Sequence, residues 1–182
     1  MTMPDSRLIF PVQVEGLLRG LEPDVTPRLK QRLKAAGLDL DAKLPPAWPA
    51  ERLREWLDAC ADEVYPGQPR EQALRAIGRR FIEGWQRTLI GAASAKLLKL
   101  VGPRRTLERL TRAFRTGDNF SETSVLFPSD RVGVVTVRSQ RLPHYIAGIL
   151  DGGVAMLEVD GRVAIEDAGD GEHGSMRFRI EW

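Results

Sequence analysis

The stretch Glu122-Thr-Ser-Val-Leu-Phe-Pro-Ser-Asp-Arg-Val-Gly-Val-Val-Thr-Val-Arg138 decides the fold class of this chain. Its second half alternates valines with small or polar residues, which is the period of a half-buried strand. Before Gly117 the apolar spacing is helical instead, so the period changes at this point. We therefore predict strands over Glu122–Phe127 and Arg131–Arg138, joined by a hairpin turn at Pro128-Ser-Asp.

The rest of the C-terminal third completes a small sheet. Leu142–Leu157 has helical spacing, with Pro143 near its start. Val163–Asp167 and Met176–Trp182 alternate again, on either side of a glycine-rich acidic loop. The order strand, strand, helix, strand, strand predicts an antiparallel sheet with one helix on its face, and therefore an α+β fold.

The N-terminal part of the chain is predicted to be mainly helical. The predicted helices are a short one through Val14 to Leu21, one capped by Thr26 with Pro27 at its first position and stopped by Gly37, one over Pro49–Val64, a long one over Pro69–Val101 and a short basic one over Pro103–Phe114. The three prolines of Leu44–Pro49 predict a rigid linker without regular pairing. We expect residues 1–182 to form a single domain, with a helical part over 1–117 and a sheet-forming part over 118–182.

Composition excludes several kinds of site. The 182 residues contain one cysteine, Cys60, and two histidines, His144 and His173, so an internal disulfide and a four-ligand Cys/His zinc site are both excluded. No apolar run is long enough to span a bilayer, and the first residues lack a signal-peptide pattern. We expect a cytoplasmic protein with no membrane span.

Motifs of catalysis are missing from the sequence. The glycine clusters at Asp151-Gly-Gly and Gly169-Asp-Gly lack the Lys-Ser/Thr ending of a phosphate-binding loop. His144 could be a haem ligand or a base, but a residue at the start of a helix is more often partly exposed. His173 is predicted to lie in a solvated turn. No acid/base pair stands out, so we expect no enzymatic activity.

Glycines interrupt the long predicted helix. Gly84 and Gly91 each cost about 1 kcal/mol relative to alanine inside a helix. We therefore expect close approach of another backbone or of a ligand there, with Phe81 and Trp85 on the same helix. These four residues are our candidate ligand pocket or helix-packing site.

Charge is unevenly distributed along the chain. Gly78–Arg115 has ten basic residues against two acidic ones, whereas Asp151–Trp182 has eight acidic residues against three basic ones. In the predicted short helix, Arg105, Arg109 and Arg112 fall on one side and form a candidate face for an anionic partner. A solvated surface is the alternative. Nucleic acid is disfavoured because no base-reading element is evident, and we favour contact with the acidic C-terminal third of a second copy.

Several stretches resemble a known family. They are Gly37-Leu-Asp-Leu, Tyr65-Pro-Gly, Pro69 to Gly84, Gly102-Pro-Arg-Arg and Phe114-Arg-Thr-Gly-Asp-Asn-Phe. Together they resemble a paralogous family of similar length known from myxobacteria. The resemblance covers nearly the whole chain but implies no particular activity.

A wider similarity involves the C-terminal half. Tyr145-Ile-Ala-Gly-Ile-Leu-Asp-Gly-Gly, with Val163-Ala-Ile-Glu and Met176-Arg-Phe-Arg-Ile, is similar to the superfamily of haem-nitric-oxide-binding domains, vinyl-reductase-type sensors and Golgi vesicle-tethering subunits. This similarity implies helices followed by an antiparallel sheet, and either a small apolar, tetrapyrrole or fatty acyl ligand or a dimerising scaffold. The Tyr-x-Ser-x-Arg signature of the haem domains is absent. Tyr145, Asp167 and Met176, or their neighbours, replace the cysteines of many vinyl-reductase-type domains, so neither haem nor zinc is expected.

Taken with the residues, these similarities predict a small-ligand-sensing module with no cofactor. A small apolar ligand would lie between the long helix and the sheet. The alternative is a protein-interaction or homodimerisation scaffold, with a homo-oligomer or another protein as its partner.

Overall fold

The computed structural model describes residues 6–169 and 174–182. His173 and half of the predicted acidic loop lie outside these residues. The elements are β1 (Leu8–Ile9), α1 (Pro11–Leu21), α2 (Pro27–Ala35), β2 (Trp48–Pro49), α3 (Arg52–Val64), α4 (Arg70–Gln86), α5 (Leu89–Glu108), α6 (Leu110–Phe114), β3 (Glu122–Ser129), β4 (Val132–Arg138), α7 (Pro143–Met156), β5 (Arg162–Asp167) and β6 (Met176–Glu181).

The predicted α+β class is confirmed. The last two hairpins form a four-stranded antiparallel sheet in the order β3-β4-β6-β5, and α7 packs against it. Val135, Val137 and Phe178 point from the sheet into the core and are buried, because alternate residues of a strand face the same side. The strand period of the sequence therefore located this half of the molecule correctly.

Helix α4 is central among the helices. It crosses α1 and α7 at very short range, and glycines permit both crossings. A Cβ atom built on Gly84 would lie 2.1 Å from the carbonyl oxygen of Gly16, and one on Gly148 would lie 2.1 Å from that of Arg75. Side-chain carbons do not approach backbone oxygens this closely, so the three helices can pack in this way only with glycine at these positions.

The single long helix predicted over Pro69–Val101 is wrong. Helix α4 ends at Gln86 and α5 begins at Leu89, with Thr88 as the N-cap. The Thr88 hydroxyl donates to the Trp85 carbonyl oxygen at 2.8 Å and accepts from the Gly91 amide at 3.0 Å. This threonine thus satisfies one backbone group at the end of α4 and one at the start of α5. The chain can therefore turn here, although the apolar pattern of the sequence continues.

Two further predictions need correction. Residues 103–114 do not form one helix: α5 kinks at Gly102, where φ is 78°, then continues to Glu108, and α6 begins at Leu110. The proline-rich segment does pair, since Trp48 lies opposite Ile9 in a two-stranded sheet. Pro49 is tolerated there because a short edge pairing does not need its missing N–H.

Within the described part of the chain, no helix is long and apolar enough to cross a membrane.

Candidate functional site

A mostly apolar cavity of about 120 Å³ lies between the helices and the sheet. Helices α1, α4, α5 and α7 line it on one side, and the end of β6 lines it on the other. Phe81 and Trp85 of α4 are in the wall, as is Ile149 of α7. Apolar cavities of roughly 150 Å³ bind benzene or xenon, so the size suits a single small ring.

Tyr145 supplies the distinctive chemistry of this cavity. Its side chain is 1% exposed and packs edge-on against Phe81, with ring centroids 6.2 Å apart. Among the described side chains of the wall, its hydroxyl is the buried polar atom that has no hydrogen-bond partner. The Gln13 amide lies close enough to favour the phenolate slightly, but its geometry falls short of a hydrogen bond. Burial raises the pKa of Tyr145, so the hydroxyl keeps its proton and remains a donor at physiological pH.

The other buried polar groups of the wall are paired. The Asp118 carboxylate accepts from the amides of Phe120 at 3.0 Å and Ser121 at 2.7 Å, and from the Ser121 hydroxyl at 2.5 Å. The Ser121 hydroxyl in turn contacts that of Ser139 at 2.7 Å. This network holds the connection between the helices and β3, and its groups are satisfied without a ligand.

The four candidate pocket residues lie near each other but differ in environment. Phe81 and Trp85 line the cavity. Gly84 contacts α1 and not the cavity, and a Cβ on Gly91 would lie 1.8 Å from the Trp85 carbonyl oxygen. The glycines thus permit close backbone contacts, whereas the two aromatic residues face the cavity.

The candidate anionic-partner residues are on the surface. Arg105, Arg109 and Arg112 are exposed and have no ion pair among the described residues, although the break after Glu108 removes the single helix on which their alignment was based. Their neighbour Arg104 stacks on the Phe127 ring, with its guanidinium carbon 4.2 Å from the ring centroid.

Other candidate reactive groups are poorly placed for chemistry. His144 lies outside the cavity wall, with Nε2 3.5 Å from the Glu71 carboxylate. Cys60 is buried, and burial raises the pKa of its thiol to about 12, so it is not a nucleophile. The described residues contain no group of three or more His, Cys, Asp or Glu side chains that could hold a metal ion.

The sequence matches, over residues 7–182, the family model described as protein of unknown function (DUF2378). The chain belongs to this family. No curated protein matches this DUF2378 sequence. The predicted relationship to a family without an established activity is thereby confirmed.

Solved structures share the fold of this DUF2378 chain. An oxygen-binding H-NOX domain related to soluble guanylate cyclases is 15% identical, with a TM-score of 0.68 over 93% of this chain and 90% of its own. A mutant H-NOX domain of T. tengcongensis is 15% identical, with a TM-score of 0.67 over 93% and 94% of the two chains. An H-NOX structure from a study of activation is 13% identical, with a TM-score of 0.69 over 95% of each. The predicted distant similarity to haem-nitric-oxide-binding domains is confirmed at the level of fold.

The cavity residues of this DUF2378 chain do not fit a haem. The described wall contains no histidine or cysteine, the commonest strong axial ligands, and no lysine or arginine to pair with propionates. Its volume of about 120 Å³ is far below the roughly 300 to 1,000 Å³ of ordinary cofactor and drug sites. Tyr145 is an axial ligand type in some haem proteins, but its raised pKa opposes the deprotonation that iron binding needs.

Sequence reasoning missed the unpaired hydroxyl of Tyr145 and the partners of Asp118. Tyr145 occupies an apolar position of α7 and is indistinguishable by spacing from a core residue such as Ile149. The feature of the sequence that distinguished Tyr145 was its hydroxyl group, on an otherwise apolar face of the predicted helix. Asp118 lies in a stretch that resembles the myxobacterial family, but the link from its partner Ser121 to Ser139 depends on the sheet that forms later in the chain.

Proposed function

We propose that this chain is a cytoplasmic, non-enzymatic signalling module that senses a small, mainly apolar ligand, folded as a single domain over residues 1–182. The ligand lies in the cavity and accepts one hydrogen bond from Tyr145. The unpaired Tyr145 hydroxyl carries the proposal, because a buried donor without a partner costs about 1 to 3 kcal/mol that a ligand acceptor would recover. The shared fold with an oxygen-binding H-NOX domain supports a sensing role.

The cavity limits the class of ligand. Its apolar wall favours a hydrocarbon body, and its volume of about 120 Å³ limits that body to a single ring or a short chain. The Tyr145 donor favours one acceptor atom, such as a carbonyl oxygen, an ether oxygen or an aromatic nitrogen. A charged ligand is disfavoured, because no cationic side chain lies in the described wall to pair with an anion.

Benzene and pyridine form a matched pair of probes for this proposal. They have the same shape, but pyridine carries one acceptor nitrogen and is neutral in mildly alkaline buffer. Tyr145→Phe should leave benzene binding nearly unchanged and lower the ratio of pyridine to benzene affinity about fivefold, since one hydrogen bond contributes about 1 kcal/mol. Titration calorimetry of wild type and variant measures both affinities.

The second tyrosine provides the control. Tyr65 does not line the cavity, so Tyr65→Phe should leave both affinities unchanged. Failure of the wild-type protein to bind either probe would contradict the enclosed-ligand proposal. Binding of both probes with no effect of Tyr145→Phe would contradict the role of the hydroxyl.

The haem argument has its own test. Protein expressed with added haem should show no Soret band, because the described cavity lacks strong axial ligands. A Soret band that is lost in His144→Ala would contradict this expectation.

A protein-interaction or homodimerisation scaffold remains the alternative function, in which exposed apolar residues such as those of α5 would contact the partner. Native mass spectrometry of freshly purified protein separates the two, since it reports a retained small molecule and the number of subunits in one measurement.

A further inference from the structure

The first part of α5, residues 89–101, is apolar on both sides. Its inner side carries buried Gly91 and Ala95 together with half-buried Leu98. Its outer side carries four large apolar residues that are mostly exposed, up to 90% for Leu89 and 84% for Leu100; the four are Leu89, Ile90, Leu97 and Leu100. A helix that is apolar all round is normally covered on all sides. We call these four residues the outer stripe, and no described part of the chain covers them.

Helical geometry makes the outer stripe continuous. At 100° per residue, Leu89, Leu97 and Leu100 fall within one narrow sector, with Ala93 between them. Ile90 extends this sector on one side, and Lys96 borders it on the other. The stripe is therefore an apolar band about three turns long, bordered by a cation.

Along the sequence, the charge within and just after the outer stripe is almost entirely positive. Residues 88–115 contain seven basic side chains and one acidic side chain, and 89–101 contain no acidic residue at all. Lys96 is exposed and forms no ion pair among the described residues. The same holds for Arg105, Arg109 and Arg112, which follow in the sequence beyond the kink at Gly102. These four cations keep their charge available for a partner.

A second copy of the chain is a poor occupant. A two-fold symmetric contact would bring the outer stripe against itself and place Lys96 and the arginines near their own equivalents. Part of the acidic C-terminal third is also engaged in ion pairs within its own copy. Glu158 already binds Lys99 at 2.5 Å, Glu166 binds Arg177 at 3.2 Å, and Glu181 binds Arg162 at 2.6 Å.

An anionic lipid surface offers both an apolar layer for the outer stripe and negative charge for the cations. Helices that lie in the membrane interface bury leucine-type side chains about 5 to 10 Å deep and use lysine and arginine to bind anionic headgroups. The four unpaired cations attract negatively charged headgroups. The segment 89–101 contains no acidic side chain that an anionic surface would repel. We propose that the outer stripe of α5, with Lys96, Arg105, Arg109 and Arg112, binds the surface of an anionic membrane.

Vesicle sedimentation tests this proposal. The full chain should sediment with vesicles of phosphatidylcholine mixed with phosphatidylserine, and much less with phosphatidylcholine alone. Binding should weaken between about 0.1 M and about 0.5 M salt, because salt screens the headgroup attraction. Lys96→Gln and Arg105→Gln should each weaken binding about fivefold, the contribution of one cation near such a surface.

Two leucine variants separate the stripe from general hydrophobicity. The double variant Leu97→Ser, Leu100→Ser should lose about tenfold or more of its vesicle affinity, because it removes much of the inserted apolar area. Leu126→Ser is the matched control: Leu126 is a 73% exposed leucine of β3, outside the stripe, and its loss should change nothing. Circular dichroism checks that all variants stay folded.

Three results would overturn the proposal. The first is failure of folded wild-type protein to sediment with the phosphatidylserine vesicles at low salt. The second is equal loss in the double variant and in Leu126→Ser. The third is a concentration-dependent dimer that dissociates in the double variant without any vesicle binding, which would assign the stripe to a second copy.

Discussion

Gly148→Ala is expected to lower the free energy of unfolding by about 3 kcal/mol, with a fall in the melting temperature of about 6 to 12 °C. The added Cβ would lie 2.1 Å from the Arg75 carbonyl oxygen and 3.0 Å from the Gly78 Cα. Both neighbours are backbone atoms, so no side chain can rotate away and α4 and α7 must separate. Urea unfolding followed by circular dichroism measures the change.

Gly153→Ala is the matched control in the same helix. A Cβ on Gly153 meets no atom within 4 Å. Alanine is favoured over glycine inside a helix by about 0.5 to 1 kcal/mol, so this variant should be slightly more stable than wild type. The close crossing of α4 and α7 would be contradicted if Gly148→Ala and Gly153→Ala had similar effects on stability.

The sheet half of the fold could be predicted because its information is local. Alternation of valines in β4 and of Met176, Phe178 and Ile180 in β6 is visible within a few residues, and it determines which side chains enter the core. The Thr26 cap of α2 was predictable for the same reason. Its hydroxyl accepts from the Leu29 amide at 3.2 Å, three residues away.

The break at Thr88 could not be predicted in this way. Thr88 follows an apolar pattern that continues without a phase change from α4 into α5, and threonine within a helix is not unusual. What ends α4 is the pair of bonds to Trp85 and Gly91, which depends on the backbone already having turned. Gly91 was a partial indication of the break, because any side chain at this position would collide with the Trp85 carbonyl oxygen.

The candidate site was predictable only in part. Phe81 and Trp85, predicted to line a ligand pocket or to pack helices because of the neighbouring glycines, do line the cavity. The unpaired state of the Tyr145 hydroxyl depends on the assembled cavity. If a neighbouring residue accepted a hydrogen bond from it, Tyr145 would be an ordinary core side chain. The outer stripe was hidden because exposure is not visible in an apolar helix pattern: Leu97 and Leu98 are adjacent, and only the first is mostly exposed.

Asp118→Ala is expected to cost about 2 to 4 kcal/mol of unfolding free energy. The Asp118 carboxylate accepts two backbone amides and the Ser121 hydroxyl in a buried position at the start of the sheet. Alanine leaves these donors unpaired away from water, and each buried unpaired donor costs about 1 to 3 kcal/mol. Part of that cost is recovered because the Ser121 hydroxyl can still bond to Ser139.

The neighbouring Asn119 makes this prediction specific to the buried network. Asn119 is exposed; its side chain accepts from the Leu8 amide at 2.8 Å and donates to the Ser6 carbonyl oxygen at 3.0 Å. Because water can replace exposed partners, Asn119→Ala should cost only about 1 kcal/mol or less. Chemical denaturation of both variants gives the comparison. If Asp118→Ala were no more destabilising than Asn119→Ala, the carboxylate would not hold the junction between the helices and the sheet.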